Sequence, residues 1–526
     1  MKYQLGTQLS FKSILQGKLF IQIFRSTVIF SLLVCFVSFK STAQINSISS
    51  EPDGSVTILP QGLVSSRSDK GNDTTSTALG NKSLFSNIGN GRSTAIGYRA
   101  MYYADNRFLD QRSTYNTALG AEALMGSNVP ADNSGQYNTA LGDQALYSNT
   151  AGNFNVASGF EALNRNTTGN YNSAVGSRAL YHNRGNNRST ALGYGAMYYA
   201  DNRTLGRETY NTAVGFEALK GGDITAFNTG QNNTAIGDES LHKNTSGYGN
   251  TASGRSALFN NTTGHSNVAH GRSSLYLNLS GDENTAVGVN ALYNNSTAGF
   301  NAAFGFNALY YNTIGHSNTA IGRSSLFSNT WGDQNTAVGR SALSQNTTGD
   351  NNTAIGYDAE VSTGDLSNAI VIGYNAVVNA SNKIRMGNTS ITAADIQVAW
   401  NITSDRRWKE EIQEVPLGLS FLTELSPVSY HRINNESPKR EFGVIAQELE
   451  ASLEKFGFSE KQLGLLNKDS EGFYTVRYND LIPVLIKSIQ EQQQIIESQA
   501  SGIEKLLKNQ ELLTKQVETI IAQLNN

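Results

Sequence analysis

A unit of 17 residues recurs along most of this chain, and it limits the possible folds more than any other feature. The unit is clearest in NTAVGVNALYNNSTAGF, which starts at Asn284, and in NTAIGRSSLFSNTWGDQ, which starts at Asn318. Each repeat has one glycine at an equivalent position, here called the marker glycine; the 17 marker glycines are residues 80, 97, 120, 142, 159, 176, 193, 215, 237, 254, 271, 288, 305, 322, 339, 356 and 373. Their spacing is 17 residues except at four insertions of five or six residues. So strict a period predicts a stack of similar coils, each packed on its neighbours.

Small and aliphatic residues hold fixed positions within the unit. Ala stands two residues before the marker glycine in every repeat except the last, which has Val371. Leu or Met stands four residues after it in the first fifteen repeats, followed by Glu360 and Val377. The intervening Asn, Thr and Gly residues favour turns and are too frequent for helices. We therefore predict a mainly β fold, a parallel β-roll or β-solenoid over residues 76–376 with layers about 4.8 Å apart.

A longer segment that spans several 17-residue units is also duplicated. The segment YRAMYYADNR at Tyr98 returns as YGAMYYADNR at Tyr194, and each copy carries two enlarged loops. Loops that depart from a regular scaffold often hold ligand contacts, so a surface glycan or protein receptor could bind here. The alternative is that the loop aromatics only pack the base of the loop. The candidate residues are Tyr102, Tyr103, Tyr198 and Tyr199.

The charge and the titratable residues exclude several classes of function. The chain has 40 Lys and Arg against 43 Asp and Glu, which leaves no basic field for nucleic acid. The six histidines and the scattered carboxylates show no metal-ligand spacing, and no recurring carboxylate pair of the kind a glycosidase uses. We expect no metal and no cofactor. A polysaccharide-binding or polysaccharide-degrading spike stays an alternative without a residue pattern in its favour.

The N-terminus has the pattern of an export signal. Basic residues precede the apolar run VIFSLLVCFVSF at residues 28–39, and Ser41 and Ala43 supply the small residues of a cleavage site. The run of 12 residues is short for a membrane span, although a short anchor is the alternative. We predict a signal peptide over residues 1–43, a linker over residues 44–75, and a secreted or cell-surface chain with no membrane span. Cys35, the only cysteine, would leave with the signal.

The composition changes after the repeats. A β-rich neck is predicted over residues 377–403, and the more charged segment that follows contains SDRRWKEEI, LSPVSY, FGVIAQELE and YNDLIPVLIKSIQEQQ in that order. These motifs resemble the endosialidase-type intramolecular chaperone domain, whose hallmark is Ser-Asp-x-Arg-x-Lys, then Gly-x-x-Ala-Gln-Glu, then a C-terminal helix. Trp408 stands where that family usually has Leu. The repeats in turn resemble the head repeats of trimeric autotransporter adhesins, which form left-handed parallel β-rolls.

Both resemblances imply a homotrimer. The chaperone resemblance also implies a domain over residues 404–484 that cuts the chain between Thr403 and Ser404. In this assignment Ser404 is the nucleophile and Lys409 the base, which requires a lysine whose pKa is lowered by burial. A spacing of five residues brings the two side chains together if a helix starts near Ser404. The alternative is a Ser-Asp helix cap followed by a solvated lysine.

A heptad pattern over residues 485–526 predicts a coiled coil. One seam series is Ile489, Ile496, Ile503, Gln510, Val517 and Leu524, and the companion series is Gln492, Gln499, Leu506, Leu513 and Ile520. The alternative is a helix docked on its own domain. The sequence thus predicts a secreted or cell-surface, adhesin-like trimeric fibre with a self-cleaving C-terminal chaperone. A structural fibre with an uncleaved chaperone is the other alternative.

Overall fold

The computed structural model describes residues 48–50, 56–58, 76–87, 91–104, 113–391, 394–397, 401–431, 433, 440–459, 462–469 and 472–525. The predicted signal peptide, with Cys35, lies outside the described residues. Within the predicted linker, β1 (Ile48–Ser50) and β2 (Val56–Ile58) pair antiparallel. The chain divides into two compact units, Met1–Phe300 and Asn301–Asn526, and each is described by itself.

Twelve three-residue strands of the first unit follow the 17-residue period. They pair in parallel and in register, so that Ala118 lies beside Ala140 and Ala140 beside Ala157. The strands are β3 (Thr77–Leu79), β4 (Thr94–Ile96), β5 (Thr117–Leu119), β6 (Thr139–Leu141), β7 (Val156–Ser158), β8 (Ser173–Val175), β9 (Thr190–Leu192), β10 (Thr212–Val214), β11 (Thr234–Ile236), β12 (Thr251–Ser253), β13 (Val268–His270) and β14 (Thr285–Val287). Short 3₁₀ turns at Pro130–Asp132 and Thr225–Phe227 lie in the enlarged loops.

The second unit contains coils of the same kind. Its strands are β15 (Ala302–Phe304), β16 (Thr319–Ile321), β17 (Thr336–Val338), β18 (Thr353–Ile355), β19 (Glu360–Val361), β20 (Ile370–Ile372), β21 (Val377–Val378) and β22 (Ile384–Met386). The parallel ladder runs β15-β16-β17-β18-β20-β22, and β19 pairs with β21 beside it. The predicted parallel β-solenoid is confirmed, and β22 extends it into the segment that the sequence assigns to the neck.

The marker glycines explain why the coils stack so closely. Gly322 has a φ of +132°, and a Cβ atom added there would lie 2.6 Å from the carbonyl carbon of Gly339 in the next coil. Only glycine combines this backbone conformation with so close an approach. The alanine two residues earlier, Ala320, and the leucine four residues later, Leu326, are fully buried between the walls of the coil.

Two rows of asparagine line the interior and were not predicted from the sequence. The strand-side row lies four residues before most marker glycines: Asn155 donates its backbone N–H to Asn138 Oδ1 at 3.0 Å and its Nδ2 to Gly169 O at 2.8 Å. The turn-side row lies seven residues after most marker glycines: Asn166 Nδ2 donates to Asn149 Oδ1 at 2.7 Å. These fully buried amides supply the hydrogen bonds that the turns of a coil cannot make for themselves.

A small α/β region follows the solenoid. It contains the hairpins β23 (Val428–Tyr430) with β24 (Glu441–Gly443) and β25 (Leu466–Lys468) with β26 (Tyr474–Val476). Its helices are α1 (Leu419–Leu422), α2 (Ala446–Lys455) and the 44-residue α3 (Leu481–Leu524). Its core is formed by Leu417, Phe421, Leu449, Leu453, Leu465, Leu466, Leu481 and Val484. Among the described helices, none combines the length and the apolar character that crossing a membrane requires.

Candidate functional site

Ser404 and Lys409 lie together. Lys409 Nζ donates a hydrogen bond to Ser404 Oγ at 2.7 Å. A single 3₁₀ turn, Arg406–Trp408, brings them together, and the backbone N–H of Lys409 closes it on Arg406 O at 3.1 Å. The turn is shorter than the helix that the spacing suggested, but it reverses the chain enough for a long lysine side chain to reach back.

Asp405 caps this turn. Its Oδ1 accepts the backbone N–H of Arg407 at 2.9 Å, and its carboxylate also pairs with the Arg407 guanidinium at 2.7 Å. These hydrogen bonds from Arg407 hold the pKa of the Asp405 carboxyl below its ordinary value. The cap is therefore Asp405, which leaves the Ser404 hydroxyl for Lys409.

The pair is exposed to solvent, as are the apolar side chains around it. Trp408 is 80% exposed and Ile402 is 69% exposed. An ammonium group donates hydrogen bonds and has no lone pair with which to accept a proton. A lysine acts as a base where burial disfavours its charge. The described chain thus places the Lys409 amine beside the Ser404 hydroxyl, but it does not bury the amine as a lysine base requires.

The rings of the enlarged loops pack against neighbouring coils. Tyr102 stacks on Phe85 with the ring centroids 5.0 Å apart, and Tyr198 stacks on Tyr181 at 5.2 Å. The ring of Tyr199 meets that of Tyr198 edge to face at 4.7 Å. These contacts are those of the packing alternative, so a glycan or receptor contact at these loops stays a prediction.

An exposed column of stacked side chains was missed at the sequence level. Tyr115, Tyr137, Phe154 and Tyr171 stack in sequence, with neighbouring centroids 4.7 to 5.1 Å apart. The guanidinium of Arg188 lies 5.6 Å from the ring centroid of Tyr171 and extends the column. All stand five residues before a marker glycine, a shared position that could have shown them in advance.

A second exposed set lies on the strands themselves. The third residue of each strand, just before the marker glycine, points away from the buried alanine; these third residues are called the outer strand face. Most are branched aliphatic residues, and Leu119, Leu192 and Ile236 in the first unit and Ile321 and Ile355 in the second are all exposed. Each unit thus carries a regular apolar face on its surface.

Helix α3 packs on its own domain only near its start. Leu481, Val484 and Ser488 are buried, and Glu491 Oε2 accepts the backbone N–H of Leu419 at 2.7 Å. The predicted seam begins at Ile489, which is 64% exposed, and its apolar members remain exposed to the end of the helix. The docked-helix alternative therefore accounts for the first turns alone.

The described residues offer no metal site. No group of three or more His, Cys, Asp or Glu among them lies close enough to hold an ion. Two histidines make single contacts with carboxylates: His242 Nε2 lies 3.0 Å from Glu217 Oε2, and His265 Nε2 lies 3.1 Å from Asp282 Oδ2.

Comparison with curated proteins and with solved structures finds no match. Comparison with protein families finds one for the C-terminal part, which begins at Ser404, the first residue of the motif that suggested it. The recognition made from the motifs is thus confirmed for this part, directly after a region of repeated β-coils. Residues 404–458 match the family described as chaperone of endosialidase.

Proposed function

We propose that this chain is a secreted or cell-surface trimeric fibre whose C-terminal region aligns three chains and then releases itself by cleavage between Thr403 and Ser404. The observation that carries the proposal is the 2.7 Å contact between Lys409 Nζ and Ser404 Oγ at the start of the chaperone match. The export signal expected at residues 1–43 supports the proposed location.

The chemistry follows from the order of the atoms. The Ser404 hydroxyl attacks the carbonyl carbon of Thr403 while neutral Lys409 takes its proton. The peptide C–N bond then breaks as Lys409 passes the proton to the Ser404 nitrogen, which leaves as an amine, and an ester joins Thr403 to Ser404 Oγ. Water hydrolyses the ester to give a carboxylate on Thr403 and restores the Ser404 hydroxyl. Every step uses one chain and one water.

Three chains would supply what one chain lacks. Packing of the α3 seams, and of the outer strand faces, would remove apolar side chains from water at about 25 cal/mol per Å². Assembly would also cover Trp408 and Ile402, which are exposed beside the pair. A lysine acts as a base in dry surroundings, so cleavage would follow assembly rather than precede it.

Mass spectrometry of the purified protein tests the proposal. Cleavage gives a C-terminal fragment of 123 residues that starts at Ser404. Ser404→Ala should leave a full-length chain that still forms trimers, since the hydroxyl contributes nothing to the seam. Lys409→Arg keeps the positive charge but cannot act as a base, so it should also remain uncut. Ser420→Ala, an exposed serine on α1, is the matched control and should be cut normally.

Two outcomes would count against the assignment. A Ser404→Ala protein that processed normally would rule out Ser404 as the nucleophile. A wild-type protein that formed trimers and stayed full length would instead favour the structural fibre with an uncleaved chaperone.

A further inference from the structure

The two duplicated blocks of the first unit hold equivalent small, partly open cavities beside their enlarged loops, each of about 30 Å³. Twelve lining positions correspond between the two cavities, and all twelve hold the same residue type, for example Ser93 and Ser189, or Asn133 and Asn228. Positions nearby that do not line the cavities have diverged, such as Arg99 and Gly195. The residue types of the cavity lining therefore differ less between the two blocks than those of nearby positions.

The cavities lie where the turn-side row of asparagines is interrupted. Ala104 and Ala200 stand in place of the row's asparagine, and both line the cavities. In the second block, Asn183 Oδ1 would accept a hydrogen bond from that missing amide. Asn183 is fully buried, and its Oδ1 has no hydrogen-bond partner among the described residues.

A second buried acceptor belongs to a residue that lines this cavity. Asn186, which lines the cavity, stands where the preceding coils have Gly152 and Gly169. The residue is 2% exposed, and its Oδ1 also has no partner within the described chain. Its Nδ2 donates to Asp201 O at 3.0 Å, which fixes the side chain in place. A buried acceptor held in this way costs about 1–3 kcal/mol unless something donates to it.

The charge and the size of the second cavity limit which ligand it can bind. The buried carboxylate of Asp201 on the cavity wall is paired with Arg203 at 2.6 Å and with Arg207 at 2.8 Å, which leaves surplus positive charge and disfavours a cation. The unpaired acceptor oxygens disfavour an anion. A volume of about 30 Å³ is large enough for one or two waters, which need roughly 10–15 Å³ each, and too small for a sugar ring.

We infer that the cavity of the second block binds ordered water in place of the missing asparagine amide. In the second cavity this water donates to Asn186 Oδ1 and, on the side of Ala200, to Asn183 Oδ1. It joins the enlarged loop to the preceding coil, so the interruption of the row at Ala200 is bridged. The inference concerns the single chain and does not depend on cleavage or on trimer formation.

Crystals of the full chain, examined at high resolution in three states, test the inference. Untreated crystals should show water within hydrogen-bond distance of Asn186 Oδ1. Crystals soaked in rubidium chloride should show no anomalous peak there, and crystals under xenon pressure should show no xenon. Rubidium in the cavity would replace the inference with a cation site, and xenon would show a dry cavity.

A pair of variants with four side-chain heavy atoms each tests the hydrogen bond separately. Ala200→Asn should displace the water and donate to Asn183 Oδ1, so the melting temperature should stay near that of the wild type. Ala200→Leu fills the same space without a donor and leaves Asn183 Oδ1 unpaired, so it should melt several degrees lower. Equal melting temperatures for the two variants would overturn the inference.

Discussion

The coils of the solenoid and the C-terminal region bury their side chains in opposite ways. A coil has little apolar bulk, and its interior is held by alanine, leucine and asparagine amides bonded to the next coil, as Asn155 is to Asn138. The C-terminal region has a conventional apolar core around Phe421, but its longest helix keeps an apolar seam exposed. The interior of each coil is therefore buried within one chain, whereas the seam of the helix remains exposed.

This difference indicates which region would align the three chains of the proposed trimer. Each coil makes nearly the same hydrogen bonds as the next, so a shift by one whole period replaces every bond with its equivalent. The coils therefore specify their spacing strongly and their absolute position weakly. A region with a unique sequence and an open seam is suited to set that position.

The largest expected effect comes from breaking the period. Deletion of Asn318–Ser325, eight residues, removes β16 and places polar turn residues opposite the buried Ala303 and Ala337 of the adjacent coils. Each amide left unpaired costs on the order of 1–3 kcal/mol, against a total stability of about 5–15 kcal/mol. We expect aggregation or rapid proteolysis, measured by circular dichroism and limited trypsin digestion.

Deletion of a whole period is the matched control. Removing Asn318–Gln334 lets Asn335 take the place of Asn318, whose backbone N–H donates to Asn301 Oδ1 at 2.9 Å. This chain should fold and resist trypsin like the wild type. If the two deletions were equally stable, the 17-residue unit would not be a structural coil.

The next largest effect concerns the open seam. Replacing Ile489, Ile496 and Ile503 together with serine should abolish trimers, because each buried isoleucine contributes about 1.5–3 kcal/mol and three chains lose it at once. Sedimentation velocity would show the change, and cleavage before Ser404 should fail with it. Leu512→Ser, at an exposed position outside the seam, is the control and should still assemble. Trimers in the triple variant would mean that the coils alone hold the chains together.

The period predicted the coil well, because glycine, alanine and leucine recur at positions that only a stacked coil requires. It did not reveal the buried asparagine rows, since asparagine in a Gly- and Thr-rich sequence usually indicates a turn. The exposed apolar third residue of each strand was also missed, because a period of two does not tell the inner face from the outer one. The meeting of Ser404 with Lys409 was anticipated, but the spacing could not distinguish a 3₁₀ turn capped by Asp405 from a longer helix.

A smaller effect is expected from a single marker glycine. In Gly322→Ala the alanine would need a φ of +132°, which side chains rarely allow. Its Cβ atom would also lie 2.6 Å from the carbonyl carbon of Gly339, so the two coils would have to separate. We expect a loss of about 3 kcal/mol or more in the free energy of unfolding, measured by chemical denaturation. Gly249→Ala is the control: its φ is +64° and the nearest atom lies 3.7 Å away, so only the backbone cost of about 1–2 kcal/mol applies. Equal losses would show that close stacking does not require glycine.

The smallest effect is expected at Glu360, near the end of the regular coils. Glu360 takes the place of the buried leucine of earlier coils, is 6% exposed, and accepts backbone N–H groups of Ser344 and Gln345. Burial raises the pKa of its carboxyl above the ordinary value despite these hydrogen bonds. The folded state therefore holds the proton more tightly than the unfolded state, so this group contributes stability below its unfolded pKa and loses it as the pH rises through the folded pKa.

Glu360→Gln should be about 1 kcal/mol more stable than the wild type at pH 7, because no charge is buried and the amide oxygen still accepts the backbone N–H of Ser344, while only the longer hydrogen bond from Gln345, at 3.3 Å, loses its acceptor. The difference should vanish as the pH falls below about 4, where the wild-type carboxyl is protonated in both states. Hydrogen exchange of residues 343–378, followed from pH 4 to pH 7 in both proteins, measures it. A wild-type coil that became more protected as the pH rose would show instead that the two backbone N–H groups stabilise the charged carboxylate more than burial disfavours it.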